Sequence, residues 1–292
     1  MNINDIISLV KNHNVVAFGE ATHGQLKITI LRIKIFKILC TKYKFDTFIL
    51  EDQYSTCKLF NSFIKHKGKY TLTELMKRLM PPWQTKELYN LFIWMKEYNK
   101  SHNNSLSVYG VDIQFNTPGY IIRSKTDVLA NTYQSRFYKN KKMRDYYMFK
   151  MFECIYRPHH KYFIYAHVGH VGCFIIWNKP SMGCRIRKVY DYIVVGNSFN
   201  TGHTMGFNPS IKKYEIMSAP QIKKINIPFG FTILASKTFN ISTGGFYVDK
   251  QNPTKSIEID AVNNNNLDAI IVIPDEKPLY IAAFSSVIDQ HI

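Results

Sequence analysis

"VVAFGEATHG", residues 15–24, decides how this chain is read. Four apolar residues, Val15 to Phe18, run into Gly19, Glu20, Ala21, Thr22, His23 and Gly24. A short apolar run rich in β-branched and aromatic side chains reads as a buried strand. Ionisable side chains gathered where it stops, between two glycines, read as a turn that brings backbone close to a substrate.

The same grammar recurs along the chain. "DTFILE" ends at Glu51 and Asp52, "LSVYGVDIQ" at Asp112 and Gln114, and "KYFIYAHVGH" at His167 and His170. "DYIVVGNSFNTG" ends at Asn197 and Ser198, and "LDAIIVI" lies between Asn264 to Asn266 and Pro274. Helical stretches separate these runs. "LKITILRIKIFKILCTKYK" spaces its apolar residues at helical intervals, with lysines on the other side. "TLTELMKRLM" opens with a capping box, Thr71 and Glu74. "TKELYNLFIWMKEYNK" and "KNKKMRDYYMFKMFECIYR" are amphipathic, the second ending before Pro158. The alternation predicts a single α/β domain over residues 1–292. Its central sheet is mainly parallel and flanked by helices. The segment of about 54–105, with two helices, and that of about 116–160 are expected as helical insertions over the carboxyl edge of the sheet.

Ligands of parallel α/β sheets bind at the carboxyl ends of the strands. Glu20, His23, Glu51, Asp112, His167 and His170 all stand where a run stops, so they are expected to converge. Thr22 and Gln114 are expected beside the substrate. His23 is the best general base, because an ordinary imidazole titrates near ~6.5 and a carboxylate from Glu20 or Glu51 would fix its tautomer. Arg32, in the first helix after the loop, could meet developing negative charge. There is no G-x-S-x-G elbow and no cysteine beside a strand-end histidine except Cys173, so water is the expected nucleophile. Glu20-x-x-His23 with His167-x-x-His170 is a rival zinc set, but its spacing is generic.

Bulk properties set the boundaries. The 292 residues are 46% hydrophobic and carry a net charge of +17. That composition folds, and no apolar run reaches the ~18 residues of a membrane span. Five scattered cysteines suit a reduced, cytoplasmic compartment. Lys, Asn, Ile, Tyr and Phe, all abundant, are encoded by AT-rich codons, so the positive charge has a compositional explanation. The genome would then be AT-rich, viral or parasitic. No signature of nucleic-acid binding accompanies the charge. The expected partner is a small-molecule substrate, anionic if the charge is functional, with no membrane and no cofactor.

The ordered set "FGEATHG", "FILED", "VYGVDIQ" and "YAHVGHVG" resembles the erythromycin esterase family. So do "LRIKIFKILCTKYKFDTFILE" with Arg32 and Glu51, "PPWQTKELYNLFIWMKEYNK" with Trp83, Thr85 and Glu87, and "MRDYYMFK" with Arg144, Asp145 and Met148. "SMGCRIRKVYDYIVVGNSFNTG" and "NNLDAIIVI" extend the likeness across most of residues 14–275. The resemblance implies an α/β fold around a deep cleft and a metal-independent hydrolase. His23 would activate water, Glu20 would be its acidic partner, and Arg32 and Glu51 would support them. His167 and His170 would match the family's two histidines, with Val168 where an asparagine is usual. The region of about 225–262 matches poorly. Macrolides carry a cationic amine that a +17 chain has no evident reason to attract. A phosphorylated or nucleotide ligand, and a non-catalytic role in binding a host factor, are the alternatives.

Overall fold

Successive side chains of a strand point to opposite faces, and here both faces are apolar. Val16 and Phe18 join Phe48, Leu50, Phe163 and Tyr165 in one core. Val15 and Ala17 join Ile49, Tyr162, Ile164 and Ala166 in another. Strands with two apolar faces need a helix layer on each side, which favours a parallel sheet. The computed structural model describes residues 2–103, 105–114, 121–208, 213–218, 230–233, 240–243, 257–260 and 266–276. Part of the second expected insertion, residues 116–120, lies outside the described residues, as do Asn264, Asn265, the side chain of Ser198 and most of 225–262.

The chain begins with α1 (Ile3–Val10) and β1 (Val15–Glu20), followed by α2 (Leu26–Tyr43) and β2 (Thr47–Gln53). Three helices come next: α3 (Tyr54–Ile64), α4 (Leu72–Met76) and α5 (Lys86–Ser101), with a 3-10 turn at Pro81–Trp83 before the last. Then come β3 (Ser107–Asp112), α6 (Lys125–Lys139), α7 (Arg144–Ile155), β4 (Tyr162–His167) and the single turn α8 (Val168–Val171). A hairpin of β5 (Ile175–Ile176) and β6 (Lys179–Pro180) leads to α9 (Met182–Arg187) and the long β7 (Tyr192–Asn208). The remaining strands are β8 (Lys213–Ser218), β9 (Gly230–Ile233), β10 (Asn240–Thr243), β11 (Ile257–Asp260) and β12 (Ala269–Glu276).

Six parallel strands form the centre of the sheet in the order β3-β2-β4-β1-β7-β12. β9 adds antiparallel to β12, and β8 pairs antiparallel with the distal part of β7. Helices α1 to α5 pack on one face, and α6 to α9 on the other. The crossovers therefore change sides after β3, which opens a crevice at the carboxyl ends of the middle strands. Gly19 keeps that crevice tight. A Cβ there would stand 2.8 Å from Val168 Cα, so only glycine lets α8 close against β1.

Three expectations change. The segment 54–105 holds three helices rather than two. α3 buries Thr56, Cys57, Phe60, Phe63 and Ile64, but its N-cap Gln53 makes no capping bond that would signal a start. His170 is not at a strand end but on α8, one turn beyond β4. Cys173 and Cys184 form a disulfide, against the reduced state expected for all five cysteines. They stand eleven positions apart in sequence, and the hairpin folds back between them to bring them together. The capping box does form: Glu74 N donates to Thr71 Oγ1 at 3.3 Å, and Thr71 N to Glu74 Oε2 at 2.7 Å.

Candidate active site

β1 delivers Glu20 to the crevice, and a turn through Gly24 (φ 79°) starts α2 and brings His23 back beside it. Glu20 Oε1 takes the Nδ1 side of His23. Its other oxygen, Oε2, accepts from Arg32 Nη2 at 2.5 Å. Arg32 is completely buried in α2 and lies over the Tyr165 ring, 3.8 Å from its centroid. Burial alone would raise the Glu20 carboxyl. The charges of Arg32 and His23 overcome this and hold it below the usual carboxylate range. The His23 ring meets Trp83 edge-on at 4.7 Å and stands 5.9 Å from His167. Trp83 in turn donates Nε1–H to the Glu51 carbonyl at 2.7 Å. Thr22 is buried in the same loop. Asn197, at the same level of β7, accepts from Ala21 N at 3.3 Å and donates to Gly19 O at 2.7 Å, which fixes the end of β1.

A second group is centred on Arg144, the first residue of α7. Its Nη2 donates to Glu51 Oε1 at 2.9 Å and to Asp112 Oδ2 at 2.8 Å, and its Nε to Asp112 Oδ1 at 3.2 Å. Gln114 Nε2 donates to Asp112 Oδ2 at 2.9 Å. Glu51 Oε2 accepts from His167 N at 2.7 Å, tying β2 to β4. Burial raises Glu51 and Asp112, but His170 and Arg144 lower the first, Arg144 lowers the second, and both stay below the ordinary range. His170 presents Nδ1 to Asp145 Oδ1 at 2.9 Å. Arg144 Nη1 lies 2.9 Å from His170 Nε2. A guanidinium only donates, so Nε2 accepts and the ring here is the neutral Nδ1–H tautomer. Burial opposes charge on this ring, yet Asp145 and Glu51 raise its pKa, so a proton on it would face Glu51 Oε1 at 3.3 Å.

His167 is held differently. Nε2 donates to the Ala21 carbonyl at 3.0 Å, and Nδ1 accepts from Gly169 N at 3.1 Å. Burial, reinforced by His23, pushes its pKa down to about 4. The ring is neutral at physiological pH and spans the ends of β1 and β4. Asp52 is a structural acid. Its oxygens accept from Gln53 N and Met80 N, and burial pushes its pKa up to about 8.

All nine residues expected from the sequence lie at this one edge, in two linked groups. Glu20, His23 and Arg32 form the first, and Glu51, Asp112, Gln114 and His170 the second. His167 and buried Thr22 lie in the backbone between them. Sequence reasoning did not name Arg144, Asp145, Trp83 or Asn197 as site residues. Arg144 and Asp145 form an adjacent charged pair at the start of a helix. That pair, and its place in the "MRDYYMFK" stretch that carries the family resemblance, were the available signals, but their partners are more than 20 residues away in sequence. Among the described residues, no group of three His, Cys, Asp or Glu side chains is arranged to hold a metal ion. The four carboxylates held ionised (Glu20, Glu51, Asp112 and Asp145) outnumber the two guanidiniums. Its imidazoles apart, the cluster is therefore acidic inside a strongly basic chain.

Comparison with known proteins agrees with this architecture. Residues 40–131 match the family model of erythromycin esterase. That segment contains Glu51 and Asp112; Glu20, His23 and Arg32 precede it, and His167 follows it. Erythromycin esterase type II from Escherichia coli is 27% identical over 113 residues, which are 39% of this chain and 26% of that protein. Two solved structures share the fold over 96% of this chain. A protein described as a succinoglycan biosynthesis protein has a TM-score of 0.74 at 16% identity, with 92% of its own chain covered. A mutant of the erythromycin esterase EreC in its open conformation has a TM-score of 0.66 at 12% identity, with 96% of its chain covered. In its matched segment the chain is similar to erythromycin esterases, and it shares their fold.

Proposed function

We propose that the chain hydrolyses an ester or lactone through water activated by His23, without a metal. The observation that carries this reading is the buried relay Arg32–Glu20–His23. Arg32 keeps Glu20 ionised. Glu20 fixes the Nδ1–H tautomer of His23 and stabilises the imidazolium that forms when Nε2 takes a proton from water. The hydroxide equivalent adds to the carbonyl carbon. The protonated Nε2 then gives its proton to the departing alkoxide, so the imidazole ends neutral. The ring nitrogens of His167 and His170 serve backbone, Asp145 and Arg144, which supports a reading without zinc.

The local charge bears on the substrate. Charge acts over short distances at physiological salt, so the cluster counts for more at the reacting bond than the net charge of the chain. An acidic cluster favours a neutral or cationic substrate over the anionic or phosphorylated one suggested by +17. The test is a panel of neutral esters, lactones and phosphodiesters, assayed with wild type and His23→Asn. Turnover of at least one ester that the variant loses supports the reading. Equal rates for both proteins on every substrate, or turnover of phosphodiesters alone, overturns it.

A further inference from the structure

We infer that the β5–β6 hairpin is a docking element for an anionic membrane surface. Its two strands are two residues each, paired Ile175 with Pro180 and Ile176 with Lys179. The turn between them is Trp177–Asn178, both at positive φ (50° and 61°). Turns of this hand normally use Asn and Gly, and a bulky aromatic there is uncommon. Trp177 is 60% exposed and Ile175 66% exposed. Ile176 points the other way and packs onto the second core, with its Cδ1 4.0 Å from where a Gly169 Cβ would stand. The Cys173–Cys184 disulfide closes the base, and Ser181 Oγ donates to Gly172 O at 2.6 Å. A stapled base and an inward-packed Ile176 present two large apolar side chains outward.

The surrounding charge selects the partner. From Val168 to Tyr190 the chain carries Lys179, Arg185, Arg187 and Lys188, and no Asp or Glu. Arg187 is paired with Asp268. Arg185 donates to the Pro180 carbonyl at 3.2 Å, which places its charge beside the hairpin, and Lys179 is exposed on it. Two protruding side chains offer far less than the ~800 Å² per partner that a stable protein interface buries. A bilayer needs no matching surface. A few apolar side chains enter the headgroup region, tryptophan favours that depth, and cations meet anionic lipid. Docking of this kind needs no membrane crossing; among the described residues, no helix is long and apolar enough to span one. The inference does not depend on the hydrolase reading.

The test uses phosphatidylcholine vesicles with and without phosphatidylserine, read by co-sedimentation and tryptophan fluorescence. The chain has three tryptophans. Trp83 is buried and Trp94 half-buried, so a blue shift on vesicles reports Trp177. The expected result is binding that requires phosphatidylserine, with a blue shift that Trp177→Phe removes while binding persists. Ile175→Ser with Trp177→Ser should weaken binding about tenfold or more, and Lys179→Glu by about fivefold. These positions are exposed, so the fold is not at stake, and an unchanged thermal melt checks it. Absence of binding, equal binding to phosphatidylcholine alone, or full binding by the double serine variant overturns the inference. So does equally strong binding to polyglutamate or RNA without a blue shift on vesicles.

Discussion

The two halves of the acidic cluster use the same three group types in a different order. In the first, a carboxylate is central: Glu20 stands between Arg32 and His23. In the second, a guanidinium is central: Arg144 stands between Glu51, Asp112 and His170. The order decides what the imidazole can do. A carboxylate on Nδ1 fixes a histidine's tautomer and compensates a new charge at Nε2, and both rings have one, His23 from Glu20 and His170 from Asp145. A histidine that accepts from a guanidinium at Nε2 must break that bond before it can take a proton. The first half is built to move a proton, and the second to hold strand ends and α7 together.

Predictions follow from that contrast in decreasing size. His23→Asn should lower kcat by about 10⁴-fold on any ester that the wild type turns over, with an unchanged melt. A residual rate near wild type would move the base elsewhere. Glu20→Gln should lower kcat by about 10³-fold with a small change in KM, because the tautomer of His23 is no longer fixed. An effect on KM alone would make Glu20 a binding residue. Arg144→Met should act on folding first. It leaves Glu51 and Asp112 buried without their cation, at a cost of about 4 kcal/mol in urea-unfolding stability. A cost below about 1 kcal/mol would show that the second half is not a structural anchor.

The smallest effect is in the pH dependence. The His167 pKa is about 4 in the folded chain, against 6.5 for an ordinary imidazole. Between those values the unfolded state binds a proton that the folded state refuses, so stability rises with pH. The contribution is complete above about 6.5 and is lost as pH falls towards 4, at most about 3 kcal/mol. His170, with its raised pKa, has the opposite sign: its contribution is present below the ordinary value and fades as pH rises through the folded one. Comparing urea midpoints of wild type and His167→Gln across pH 4–7 isolates the first. Identical slopes would mean that His167 titrates alike in the folded and unfolded chain.

Much of the site was legible because strand ends are local features. Glu20, Glu51, Asp112 and His167 each follow an apolar run directly, and the parallel sheet makes their convergence a consequence of topology. Arg32 was visible through its place one helix beyond the loop. Arg144 and Asp145 were not, because their importance lies in partners on β2, β3 and α8. His170 was placed on a strand because "YAHVGH" gives no sign of where β4 ends. The terminus comes from α8 folding against β1 at Gly19.

The order of apolar runs and helical stretches was enough to determine a parallel α/β sheet and the set of groups at its edge. Two-faced burial admits little else, and the side chains at strand ends follow from the register. Only the tertiary structure decided that His170 meets a guanidinium at Nε2 as well as a carboxylate at Nδ1, that carboxylates outnumber guanidiniums at the site of a basic chain, and that Cys173 reaches Cys184. Those are facts of distance between residues remote in sequence, and a charge or a lone pair takes its meaning from whatever stands within a few ångströms of it.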